Sequence, residues 1–238
     1  LDLPRGDYAN PRLSPDGQRL AFERQEGNSA NIWVYEVSGA TTMRRLTEGG
    51  SNRYPVWSGD GAHIAFQSDR EGDRGIFWQR ADGTGPVERL TTPQAGAAHI
   101  PEDWSSTGDQ LAFSALTEDG VELGLWTLAD RTAERFGDVQ STQPFNAVFS
   151  PDGQWLAYTQ RLGRVATYVQ SVSSPEARFQ VGQDEEIANH PLWAPGGDQL
   201  FYFAASVPLA VDVRTQPTVG FGRPVPLAGL PTIAGPAN

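Results

Sequence analysis

The sequence predicts an all-β fold, a β-propeller of four-stranded antiparallel blades, and three observations carry that expectation. A turn followed by an apolar strand recurs five times at nearly constant spacing. Each recurrence brings three further short β-rich segments in a fixed order. The 26 glycines and 18 prolines supply turn residues well above average use, yet below the level of an aperiodic disordered chain.

The anchor reads Ser14-Pro15-Asp16-Gly17-Gln18-Arg19-Leu20-Ala21-Phe22. It returns with its first apolar residue at Ile64, Leu111, Leu156 and Leu200, spacings of 44, 47, 45 and 44 residues. In the Ser-Pro-Asp-Gly form, proline presets φ, aspartate bonds back to the backbone and glycine takes the positive-φ position, so the turn joins two strands tightly. A short apolar strand precedes each turn and ends in Leu13, Trp57, Trp104, Phe149 or Trp193. After the anchor strand comes a third, aromatic-rich one: Ile32-Trp33-Val34-Tyr35, Ile76-Phe77-Trp78, Leu125-Trp126-Thr127-Leu128, Tyr168-Val169 and Leu209-Ala210-Val211. A fourth strand closes each unit at Arg45-Leu46-Thr47, Arg89-Leu90-Thr91, Arg135-Phe136, Arg178-Phe179 and Pro224-Val225-Pro226-Leu227. These runs are too short and too rich in β-branched and aromatic residues for helices.

Four strands per 44–47 residues is the period of propeller blades, which bury their faces only against neighbouring blades. The bulky aromatics are therefore expected to form the core between blades. One domain is expected over 1–238, with repeats at about 10–48, 52–92, 99–137, 144–181 and 189–227. Leu1-Asp2-Leu3 sits where the fourth strand of a preceding blade would sit, and no anchor follows Leu227. Either the amino-terminal strand closes a five-bladed ring, or the chain is part of a six- to eight-bladed propeller. Leu1 in place of methionine points to a processed form or an excised region.

The segment Pro55-Val56-Trp57-Ser58-Gly59-Asp60-Gly61-Ala62-His63-Ile64-Ala65-Phe66-Gln67-Ser68-Asp69-Arg70 closely resembles the repeats of TolB-like (WD-repeat-like) bacterial propellers. The resemblance covers nearly the whole chain and implies a periplasmic or extracytoplasmic setting. Such blades occur in periplasmic translocation proteins, in propellers appended to bacterial membrane kinases and in the gating propellers of prolyl-oligopeptidase-like serine peptidases. Ala210-Val211-Asp212-Val213-Arg214-Thr215 leading to Gly222-Arg223-Pro224 looks most like the kinase-appended type.

A net charge of −11 lacks the basic face that nucleic acid requires, so no nucleic acid partner is expected. The absence of cysteine excludes disulfides, thiolate metal sites and a cysteine nucleophile. No apolar stretch is long enough for a membrane span. No Gly-x-Ser-x-Gly elbow is present, so no catalytic residue is assigned. The three histidines, His63, His99 and His190, have no His-x₃-His spacing, so neither a metal nor a cofactor is assigned. Asp69-Arg70-Glu71-Gly72-Asp73 lacks the pattern of a calcium loop and reads as a solvated hairpin.

His63 is expected to be an exposed turn residue. His99 and His190 fall in loops that lead into innermost strands. In a propeller those loops surround one mouth of the central channel, so Asn10, Arg53, Tyr54, His99, Asn146 and His190 are the candidate ligand-binding residues, able to converge although distant in sequence. The expected function is a non-catalytic binding module presenting these loops to a protein or peptide partner or to a small ligand. The alternatives are a metal-assisted lyase using His99 and His190, and a gating propeller of a serine peptidase.

Overall fold

The computed structural model describes residues 5–38, 43–183 and 187–227. It contains strands only, arranged as five antiparallel sheets that follow the five repeats, and the fold is a β-propeller fold. The chain divides into two compact units, Leu1–Arg135 and Phe136–Asn238. The segment Leu1-Asp2-Leu3 lies outside the described residues.

The first unit carries β1 (Tyr8–Leu13), β2 (Arg19–Glu26), β3 (Ser29–Glu36) and β4 (Arg44–Arg45) as its first blade. The second blade is β5 (Asn52–Trp57), β6 (His63–Ser68), β7 (Gly75–Arg80) and β8 (Glu88–Arg89). The third is β9 (Ala98–Trp104), β10 (Gln110–Thr117), β11 (Gly120–Thr127) and β12 (Thr132–Ser141), the last strand running on into the second unit. That unit holds β13 (Val148–Phe149), β14 (Trp155–Leu162), β15 (Arg164–Ser171) and β16 (Arg178–Val181) as its first sheet. Its second sheet is β17 (Ala188–Trp193), β18 (Gln199–Ala204) and β19 (Val207–Arg214), with the outer position shared by β20 (Gly220–Phe221) and β21 (Val225–Pro226). The expected fourth strand at Pro224–Leu227 is β21, and β20 adds a second short strand beside β19 before it.

Each anchor turn is built as its residue types require. Ser14 Oγ donates to Asp16 Oδ1 at 2.5 Å, Gln18 N–H donates to the same oxygen, and Arg19 N–H donates back to Ser14 Oγ at 2.9 Å. Ser58, Asp60, Ala62 and His63 repeat the arrangement, as do Ser150, Asp152, Gln154 and Trp155. The hydroxyl bonds from Ser14 and Ser58 hold the Asp16 and Asp60 carboxyls below their ordinary range.

The core lies between successive sheets. Trp57, Ile64, Phe66 and Phe77 of the second blade pack on Ala21, Ile32 and Val34 of the first, and Trp104, Leu111 and Trp126 of the third pack on Val56, Ala65 and Ile76. In the second unit, Trp193, Leu200 and Tyr202 pack on Ala157, Val169 and Val181. The Arg-Leu-Thr motif of the outer strands has a definite job. Thr47 Oγ1 accepts Ile32 N–H at 2.9 Å and Thr91 Oγ1 accepts Ile76 N–H at 3.0 Å, so the hydroxyl satisfies a third-strand donor that the short fourth strand leaves unpaired.

Candidate functional site

Four of the six candidate residues occupy one position of the repeat, ten residues before the anchor's first apolar residue. Asn10, Tyr54, Asn146 and His190 all have positive φ, between 50° and 56°. Side chains other than glycine, asparagine and aspartate rarely adopt this conformation. For Asn10, Tyr54 and His190 the cause is a bulge in the inner strand. In β5 the pairing jumps from Arg53 opposite Gln67 to Val56 opposite Ala65, and β1 and β17 jump at the same place. Pro11, Pro55 and Pro191 follow the bulged residue directly, and proline, which has no N–H for the ladder, is tolerated where pairing is interrupted. Asn10, Tyr54 and His190 therefore lie within strands and not in the loops before them, a correction that the bulge explains. Asn146 precedes β13 by two residues.

The bulge frees a backbone N–H, and the preceding blade captures it. Glu23, only 5% exposed on β2, accepts Tyr54 N–H and Asn10 Nδ2–H, each at 2.5 Å on Oε1. In the first unit this single carboxylate brings two candidate residues together. In the second unit Thr159 Oγ1 accepts His190 N–H at 3.1 Å. Glu23 and Thr159 both stand three residues after the anchor's first apolar residue, a place held by Gln67 and Ser114 in the second and third blades. Gln67 Nε2 donates to the His99 carbonyl at 2.7 Å, and Ser114 Oγ donates to the buried Glu102 carboxylate. These clamping residues were missed in the sequence. The signal was present as a polar residue closing each apolar-Ala-aromatic run: Glu23, Gln67, Ser114 and Thr159.

His99 does not share the position of the other four. Pro101 occupies it, opposite Phe113, and proline cannot take a positive φ. His99 is half-buried on β9, its Nδ1 lies 2.9 Å from Thr91 Oγ1, and its ring tilts against Phe113 at 4.8 Å. Burial pushes its imidazole down to about 4, opposed by the Asp73 carboxylate, so the ring is neutral at pH 7. It helps line a pocket of about 260 Å³ with Phe113, Ala115, Glu122 and Arg135. Arg53 is half-buried, with Nε 3.4 Å from Ser51 Oγ. Asn146 Oδ1 receives the Arg161 guanidinium at 3.4 Å. His190 is exposed, its ring edge-on to Phe203. His63 departs from its expected place in the open turn: it is half-buried and stacks on Trp78 at 4.3 Å, because the turn hydrogen bonds start β6 at that residue. In the Asp69–Asp73 hairpin, Asp73 and Glu71 pair with Arg89, a cation already in place. No group of three or more His, Asp or Glu suited to a metal exists among the described residues. No helix among them is long and apolar enough to cross a membrane.

The TolB beta propeller domain model matches residues 4–136. The uncharacterised peptidase YuxL of Bacillus subtilis is 25% identical over 82% of this chain and 29% of its own length. The Tol-Pal system protein TolB of Francisella tularensis is 24% identical over 80% of the chain and 45% of its own. The chain thus spans less than half the length of these relatives. A solved structure of a TolB homologue from Agrobacterium tumefaciens superposes with a TM-score of 0.73 at 16% identity, covering 93% of this chain and 80% of that one, a likeness of fold alone.

Proposed function

We propose, from the premise that this chain belongs to the TolB β-propeller domain family, that it is a non-catalytic interaction module of an extracytoplasmic protein. In each of its two units the starts of the inner strands meet a protein or peptide partner. The observation that carries this reading is the recurrence of Asn10, Tyr54, Asn146 and His190 at one strained position. Glycine would adopt that conformation without penalty and asparagine at little, whereas Tyr54 and His190 there each cost of order 1 kcal/mol. Polar side chains kept at such a cost are best accounted for by use, and these four offer amide, phenol and imidazole groups that suit a peptide backbone. The Tol-Pal relative supports the extracytoplasmic setting, and the acidic net charge favours a basic partner.

The test is a displayed random-peptide selection against the full chain, followed by calorimetric titration of enriched peptides. Tyr54→Ala or His190→Ala should weaken binding at least about tenfold, the loss of one buried polar or aromatic contact. Enriched peptides that bind both variants as tightly as the parent would overturn the proposal.

A second reading is favoured by the match to YuxL, in which the same blades form part of a peptidase. The parent reading frame separates the two: continuation into a hydrolase assigns a gating role, and its absence leaves the interaction module.

A further inference from the structure

Beyond the inner strands, the repeat shows one site filled by the chain itself in two places and open in a third. Between the first and second blades, the Arg19 guanidinium lies 4.6 Å over the Trp57 ring, and its Nη2 donates to the Gly61 carbonyl at 2.9 Å. Between the second and third blades the residue equivalent to Arg19 is His63. There the space is occupied by an aromatic stack, His63 on Trp78 at 4.3 Å and Trp78 on Trp104 at 5.5 Å.

The two blades of the second unit rebuild the frame of the first pair. Trp193 stands for Trp57, Gly197 for Gly61 and Pro151 for Pro15. The glycine and proline of the two frames are placed alike, since a Cβ on Gly61 or on Gly197 would lie 3.6 Å from the Cδ of its proline. The residue in the place of Arg19, however, is Trp155, which brings no cation. What remains is a pocket of about 500 Å³ whose lining includes Asp152, Trp155, Trp193, Gly197 and Asp198 and no basic residue.

We propose that this pocket receives the guanidinium of an arginine side chain presented by a basic peptide segment of a partner. Trp193 supplies the aromatic face that Trp57 offers Arg19, and Trp155 adds a second indole. The Gly197 carbonyl supplies the acceptor that Gly61 provides. Asp152 and Asp198 supply the charge; Asp152 Oδ1 already accepts from Ser150 and Gln154, which leaves its second oxygen as the acceptor for the incoming fork. Lysine fits less well, because a compact ammonium neither stacks in plane nor bridges carbonyl and carboxylate together.

The experiment is a titration of the ¹⁵N-labelled full chain with an acetylated glycine-rich pentapeptide carrying a central arginine, and with its lysine counterpart. The Trp155 and Trp193 indole N–H resonances, assigned through Phe substitutions, should shift saturably, with the arginine peptide at least about threefold tighter than the lysine one. Trp155→Arg should abolish the response by filling the site from within. Asp198→Asn, a surface change that leaves the fold intact, should weaken it about threefold or more. Equal affinity for the two peptides, no loss in Asp198→Asn, or shifts confined to other indoles would overturn the proposal.

Discussion

Replacing Glu23 tests the clamp that holds the first two blades in register. Its carboxylate is buried and accepts two donors at 2.5 Å, Tyr54 N–H and Asn10 Nδ2–H. In Glu23→Ala the half-buried Asn10 amide can turn to water, while Tyr54 N–H is stranded at a cost of about 1–3 kcal/mol. One methylene, Cγ, also leaves the interface, at about 0.8 kcal/mol. The expected loss is about 2–4 kcal/mol. Glu23→Gln keeps a carbonyl oxygen for Tyr54 and forfeits only charge assistance, about 1–2 kcal/mol. Urea unfolding followed by tryptophan fluorescence reads both values, and amide exchange at Tyr54 should accelerate in the alanine variant. A loss under about 1 kcal/mol in Glu23→Ala, or unchanged exchange at Tyr54, would refute the reasoning.

Trp57→Ala, which removes a 6%-exposed indole bonded to the Arg12 carbonyl, should cost roughly 3–5 kcal/mol, read as a lowered urea midpoint. Gly124→Ala places a methyl inside the contact radius of the Phe113 ring opposite it on β10 and should cost about 1–3 kcal/mol by overpacking, in the same assay. His99 gives a pH dependence of definite sign. Between its ordinary 6.5 and about 4 in the folded chain, the unfolded chain binds a proton that the folded one does not. The contribution of His99 is therefore fully present above pH 6.5, is lost by about 3 kcal/mol as pH drops towards 4, and changes no further below that. His99→Gln should flatten this segment of the urea-midpoint profile.

The blades were legible because their signals are local. The Ser-x-Asp-Gly turn satisfies its own backbone within five residues, and the apolar runs Leu20–Phe22 or Ile64–Phe66 need only neighbouring sheets to bury them. The candidate residues were chosen on an equally local ground, their place beside the entry to an inner strand. What escaped was whatever depends on two repeats at once. The bulge that sets Tyr54 at positive φ is visible only when β5 is paired with β6, and its stabiliser, Glu23, sits 31 residues away on another blade. His99 was grouped with His190 by its place near an inner strand, yet Pro101 holds the equivalent position, because the third inner strand begins earlier. His63 was read from its turn alone, whereas Trp78 across the sheet covers it.

The most direct test of the interaction-module account is to map the amide shifts of the labelled chain on adding a selected peptide. Binding at the bulged inner strands predicts the largest changes at Asn10, Tyr54, Asn146 and His190 and at the clamping Glu23 and Thr159. Changes confined to the outer strands, such as Arg44–Arg45 and Arg178–Val181, would contradict it.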